Sequence, residues 1–439
     1  MKLISESQVE EQAKRLNIAS VAHAGIAEIL SLAQALEKEL GIPFVHMDQG
    51  SPGLPPNQVG VKAEVEALRA GVVSVYPPSE GIQRLKEAGS RFVKAFMDVD
   101  VEPRACIPTA GSVEGSFLTS ALCTQMRPGR DTVLFLDPGF PIQKAQLAIT
   151  GARWESFDIY EYRGEKLRDK LESSLSGGNV AAILYANPSN PAWLCLSDGE
   201  LKTIAEVAAS HDVVVIEDLA YFGMDSREQY GHPFQEPYIP SVARYTQQYI
   251  LLISSSKIFS YAGQRMAMMC VGKALFDAHF PALAARYHNT GVFGATLVSN
   301  FVELVTSGCS TSAQYAYAAM LEAACDGKLD FSADMAEYAR RARIMKKLFV
   351  QNGFHIVYSR DLDCEIGDGF FFTVGYDHYS NEELVMELIA YGISTIPLGT
   401  TGAKRPGVRC CTSQMTDDAI ALLGERLALF RQDHLLSSR

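Results

Sequence analysis

Near the N-terminus, apolar residues recur at helical spacing. Ile26, Ile29, Leu30, Leu32, Ala33, Leu36 and Leu40 make one face of an amphipathic helix closed by Gly41, behind a first helical pattern that begins near residue 5. An extended arm follows over residues 44–53. From residue 61 onward, helical patterns alternate with short, unbroken apolar runs at 132–136, 180–185, 213–216, 250–253 and 266–271. Such runs read as strands buried on both faces, and their alternation with helices predicts a mostly parallel sheet with crossover helices. Beyond residue 310 the pattern changes to a long charged helix at 335–349, a strand at 370–374, a helix at 382–390, a strand near 408–411 and a closing helix. The pattern therefore predicts an α/β protein with a large domain over 51–310, its mostly parallel sheet flanked by helices. A smaller α+β domain is expected from 311–439 together with the N-terminal helices and arm, 1–50.

Composition narrows the classes. At 439 residues the chain has the length of roughly three average domains, yet no linker, repeat or low-complexity tract divides it, so one two-part subunit is expected. Hydrophobic residues make up 47% and charged residues 21%, which is enough apolar material for a large core. A net charge of −12 argues against nucleic acid or an anionic membrane as partner, since both need clustered Lys and Arg. Residues 1–16 are polar without an apolar leader core, and no window reaches the roughly 18 apolar residues of a membrane span, so a cytoplasmic protein is expected. The nine cysteines include no C-x-x-C pair, and Cys106, Cys123, Cys270 and Cys325 sit among apolar neighbours as reduced thiols do. Cys410 and Cys411 are adjacent in a strand pattern and so face opposite ways, which argues against a shared metal ion.

Candidate chemistry collects at the ends of the apolar runs. The run 249–253 leads into Ser254-Ser255-Ser256-Lys257, with Arg265 eight residues past the lysine. A lysine leaving the carboxyl end of a strand lies where open α/β sheets bind ligands. Its amine can form a Schiff base with the aldehyde of pyridoxal 5′-phosphate (PLP), while Ser254 and Arg265 take the phosphate oxygens, the arginine as a bidentate fork. On its own, S-x-x-K also fits a solvated lysine or a serine acyl-transfer enzyme. Asp218 ends the run 213–218, where a buried carboxylate can keep a pyridinium nitrogen protonated or simply cap the next helix. Tyr221, three residues on, is either a donor to a cofactor hydroxyl or an exposed loop tyrosine. Gly111, Ser112 and Val113 open a helical pattern and can offer backbone N–H groups to a phosphate or let the helix pack closely. Phe140, after the run 132–136, can stack on a planar ring or fill core. Asn190, in Asn187-Pro188-Ser189-Asn190-Pro191, is a rigidly placed amide or part of an ordinary turn.

Taken in order from Gly50 to Arg409, these segments resemble the fold-type I PLP-dependent enzymes of the class I/II aminotransferase group, aspartate aminotransferase-like. The resemblance implies that Lys257 is the Schiff-base lysine and general base, Asp218 the pyridinium partner, Tyr221 and Asn190 donors to the ring hydroxyl, and Phe140 the stacking ring. Gly111, Ser112, Val113, Ser254 and Arg265 would hold the phosphate. Tyr76, in Tyr76-Pro77-Pro78-Ser79-Glu80-Gly81, is similar to the tyrosine loop that serves the neighbouring subunit's site, which implies a homodimer with shared active sites. Arg409 matches the arginine that clamps the substrate α-carboxylate, and Gly50 the arm glycine beside it. Arg286 lies in the stretch where dicarboxylate-specific relatives carry a second arginine, and otherwise reads as a solvated helix charge. The implied reaction moves an amino group between an L-amino acid and a 2-oxo acid with ping-pong kinetics. Two residues depart from the pattern. Trp193 stands where the N-P-T-G turn has glycine, so a bulky ring is expected near the site entrance, and Phe140 replaces a Trp or Tyr. Alternatives are another PLP reaction on the same scaffold, such as β-elimination by a C–S lyase or decarboxylation, and a non-catalytic PLP-binding protein. A serine acyl-transfer enzyme would also need a K-T-G element, which is missing.

Overall fold

The computed structural model describes residues 2–21 and 24–437; Met1, part of the polar N-terminal stretch, lies outside the described residues. Every residue of the strands Thr132–Asp137, Val214–Leu219 and Tyr249–Ser254 is buried. Each Val, Ile or Leu in them contributes about 1.5–3 kcal/mol of apolar transfer, which explains why these runs carry no polar face. They belong to a seven-stranded sheet ordered Cys106–Thr109, Ala267–Val271, Tyr249–Ser254, Val214–Leu219, Val180–Ala186, Thr132–Asp137, Arg153–Asp158. The last five are mutually parallel, and Ala267–Val271 runs antiparallel to both its neighbours. The two outermost strands carry no signal in the apolar pattern. Arg153–Asp158 exposes its first three residues at the sheet edge, and Cys106–Thr109 is only four residues long.

A second, antiparallel sheet of four strands is ordered Ile396–Pro397, Val408–Cys411, Phe371–Gly375, His355–Ile356. Its core draws on Ile4 to Met47 and on Met345 to Phe430, so the N- and C-terminal segments do meet. The helix Thr311–Cys325, expected in this smaller unit, packs instead in the large core against the helices Gln58–Arg69 and Gln83–Met97. The reason is its all-round apolar surface, with Ala313, Ala316, Tyr317, Met320, Leu321 and Ala324 all buried. The C-terminal contribution to the second core begins at Met345, well past the change of pattern at 310.

All nine cysteines are free thiols, and Cys410 and Cys411 fall in different cores, as strand alternation requires. Among the described residues no helix is long and apolar enough to cross a membrane.

Candidate active site

The parallel strands deliver their carboxyl ends to one place. Asp218 is the fifth residue of Val214–Leu219 and pairs in register with Ala186 and Leu252, while Ser254 ends the next strand and leads directly into the short helix Ser255–Ile258 that carries Lys257. A cavity of about 440 Å³ opens there. Its lining includes Gly50, Ser112, Val113, Phe140, Asn190, Asp218, Tyr221, Ser254, Lys257, Arg265 and Arg409, so eleven of the residues singled out in the sequence converge on it. Another cavity, of about 460 Å³, lies behind the Asn187–Ser197 turn. Its two arginines are already neutralised, Arg163 by Glu200 and Asp361, Arg227 by Asp225 and Asp361, so neither offers a free cation to a ligand.

Burial sets the electrostatics of the 440 Å³ site. Lys257 is held down to about 8, chiefly by burial, with the nearby cations Arg409 and Arg265 acting the same way against an opposing effect of Cys411. Its ammonium donates to the backbone carbonyl of Gly50 and stands 5.3 Å from the centroid of the Phe370 ring. Burial pushes Asp218 the other way, up to about 6, although it accepts from the Ala220 N–H at 3.1 Å and from Gln143 Nε2 at 2.8 Å. Tyr221 is buried, which raises its phenol well above the usual range.

Gly111 precedes the helix Ser112–Cys123 with φ +83°, and a Cβ there would overlap the Arg265 guanidinium. Only glycine meets both conditions, and Ser112 and Val113, whose N–H groups open the helix, line the cavity. Ser254 Oγ accepts from the Ser256 N–H at 3.1 Å and keeps its own hydrogen to donate.

Arg409 comes from the other sheet, on Val408–Cys411, and is buried. Its Nη1 donates to Asn190 Oδ1 at 3.2 Å, its Nη2 donates to the Asp48 carbonyl, and its guanidinium lies 4.6 Å from the Phe371 ring centroid. The Nε–H is buried without a partner.

Three residues are placed elsewhere. Arg286 is exposed on the helix Pro281–Tyr287 and does not line this chain's cavity. Tyr76 is 90% exposed and also stands outside it. Trp193 does not intrude at the entrance; it is fully buried beneath the turn, because its left-handed backbone (φ +63°) turns the side chain inward onto Gly369, where no Cβ obstructs it. The structure also brings in residues that the sequence did not mark. Gln143 sits three positions past Phe140, in the first turn of Pro141–Thr150, and Ile26, Gln49, Ser51 and Phe371 line the cavity. Only Gln143 had a usable signal, being a polar side chain one helical turn from a suspected stacking ring.

Comparison with known proteins agrees with this geometry. The family described as aminotransferase class I and II matches residues 43–427. Glutamate-pyruvate aminotransferase AlaC of Escherichia coli (strain K12) is 29% identical over 257 residues, which cover 58% of this chain and 59% of that protein. The S-alkyl-thiohydroximate lyase SUR1 of Arabidopsis thaliana is 26% identical over 188 residues, covering 42% of this chain and 40% of its own length. The structure of aspartate aminotransferase from Thermus thermophilus with maleate superimposes with a TM-score of 0.74 at 19% identity, over 92% of this chain and 96% of that one, and so shares the fold. With a family match spanning nearly the whole chain, this protein belongs to the class I and II aminotransferase family.

Proposed function

We propose that the protein is a PLP-dependent aminotransferase that moves an amino group between an L-amino acid and a 2-oxo acid by a ping-pong mechanism. The observation that carries this reading is the convergence of Lys257, Asp218, Arg265 and Arg409 on one cavity. The donor set fits the cofactor. Arg265, Ser254 and the helix N-terminus at Ser112 and Val113 suit a phosphate dianion, and the open backbone at Gly111 leaves room for it. Phe140 would supply a flat apolar face for the ring, and Tyr221 and Asn190 would offer it polar groups. When bound, PLP supplies an electron sink for the charge left at the substrate Cα.

The chain's own residues do the rest. Lys257 Nζ, with its lowered pKa, is unprotonated in a larger share near neutral pH than an ordinary lysine, and in that form its lone pair can take a proton from the substrate Cα. Asp218, whose direction Gln143 fixes, would be the residue to pair with the ring nitrogen of PLP and, once ionised, to keep it protonated. Arg409 presents its guanidinium to the substrate α-carboxylate. Of the cavity lining given no role above, Ile26, Gln49 and Ser51 are neutral, which favours an uncharged substrate side chain.

The lowered Lys257 pKa gives a pH signature. Attack on the cofactor aldehyde needs the unprotonated amine, whose fraction rises as pH passes through the lysine's pKa. Uptake of PLP by stripped protein should therefore accelerate with a midpoint near the lysine's pKa of about 8 and level off about a unit above it. Stopped-flow rates that keep climbing towards pH 10.5, the ordinary lysine value, would show that Lys257 is not perturbed.

We read the assembly as a homodimer with shared sites. Tyr76 lies outside its own cavity, in an exposed apolar strip with Val73, Val75, Leu304 and Val305 that a second copy would cover. Heterodimers of a Tyr76→Phe subunit with a Lys257→Ala subunit test this. The only working lysine then sits opposite an intact Tyr76, so phosphate affinity at that site should be normal; a weakened site there would place Tyr76 in its own subunit. Nine free thiols suit a reducing cytoplasm.

The second reading is another reaction of the same cofactor. SUR1, a lyase, is among the relatives, and the cofactor residues do not separate elimination from transfer.

A further inference from the structure

One large side chain near the site has no part in the chemistry above. Trp193 is fully buried and its backbone is left-handed, a conformation that glycine adopts freely and tryptophan only at a cost. Its Nε1–H is buried without a hydrogen-bond partner. Packing alone does not account for an indole with both handicaps, since a smaller apolar ring would leave no stranded donor.

What the indole touches is the underside of the carboxylate site. Its ring meets Tyr221 edge-on at a centroid distance of 5.2 Å and Phe371 at 6.2 Å, and its far side lies against Gly369. Phe371 is the ring beneath the Arg409 guanidinium. Asn190, three residues earlier in the same turn, accepts from Arg409 Nη1. With Nε unpartnered, the side-chain contacts that direct the Arg409 fork are therefore Asn190 and Phe371; Trp193 packs against Phe371 and belongs to the same turn as Asn190. We propose that Trp193 is a positioning residue for Arg409, held between Gly369 and the Tyr221–Phe371 pair so that the turn and the ring together aim the guanidinium at a substrate carboxylate. The inference rests on the reading of this cavity as an amino-acid site, but it concerns carboxylate capture and not proton transfer.

Trp193→Gly is the informative variant, because glycine suits the left-handed backbone and the turn has no need to rearrange. The loss of the indole behind Phe371, the ring that faces the buried Arg409 guanidinium, should raise KM for amino acid and 2-oxo acid by about tenfold while kcat stays within about threefold. Cofactor absorbance should be unchanged, and Trp193→Phe should recover most of the loss. Calorimetric titration with butyrate, which cannot react, should show the same weakening. Gly369→Ala presses on the indole from the opposite side without lining the cavity and should reproduce the pattern. If Trp193→Gly does not fold, Gly369→Ala is judged by the same criterion. KM and butyrate affinity both within about twofold of wild type, whatever the melting temperature does, would overturn the proposal, as would a fall in kcat at constant KM. Wild-type protein that binds butyrate but transfers no amino group would sink the aminotransferase reading and leave this inference standing.

Discussion

Lys257→Ala should leave a folded protein that still takes up PLP weakly but transfers no measurable amino group. The variant removes the proposed covalent anchor, which among the described residues is also the only lysine lining the cavity, so a loss on the order of 10⁴-fold or more in kcat/KM is expected, at the upper end of what a single acid–base group supplies. The decisive readout is chemical. Borohydride treatment of wild-type protein should fix the cofactor irreversibly on the peptide containing Lys257, and the variant should lose that label. Undiminished labelling of Lys257→Ala would assign the cofactor to another lysine. Folding should survive, because the short helix Ser255–Ile258 is held by Ser254 at its N-terminus and by Ser255 Oγ, which donates to the Met266 carbonyl at 2.8 Å.

Asp218→Asn comes second in size. Asparagine keeps the shape and can still pair with Gln143, so the cofactor should remain bound. A neutral amide cannot hold the ring nitrogen protonated, and turnover should fall by roughly 10²–10⁴-fold. Pre-steady-state kinetics should place the loss in removal of the Cα proton. A variant within about tenfold of wild type, a barrier change under roughly 1.4 kcal/mol, would remove Asp218 from that role. The raised Asp218 pKa sharpens the test: in stripped protein the carboxyl is partly protonated near pH 6, and a cation beside it is what draws it down.

How much of this could be read from the chain depends on where each residue sits. Lys257, Asp218 and Ser254 were legible because each lies at or just past the end of a buried, largely apolar run, and a polar group at the carboxyl end of a buried strand has few structural reasons to be there. Arg409 was legible only through the family resemblance; as an isolated arginine in a strand pattern it carries no sign of burial. The resemblance also supplied Gly50, whose carbonyl receives the Lys257 ammonium. Phe371 and Ile26 gave no signal, since an aromatic in an apolar strand and an isoleucine at a helix start read as core in any sequence. Trp193 was noticed but misplaced. A positive φ is invisible in sequence, and it is this backbone sign, with a missing Cβ at Gly369, that sends the indole under the turn. The helix Thr311–Cys325 shows the same limit at larger scale: its apolar surface says that it is buried but not against which core.

The claim of amino transfer is tested most directly by following the nitrogen. Purified, PLP-loaded protein is given a panel of ¹⁵N-labelled L-amino acids, each with an unlabelled 2-oxo acid, and the products are read by mass spectrometry. The account predicts that ¹⁵N appears in the amino acid formed from the 2-oxo acid, in equal amount to the keto acid left by the donor, with parallel double-reciprocal plots. Label recovered as free ammonia, or a donor that loses carbon dioxide and keeps its nitrogen, would contradict it and show that the same residues serve elimination or decarboxylation.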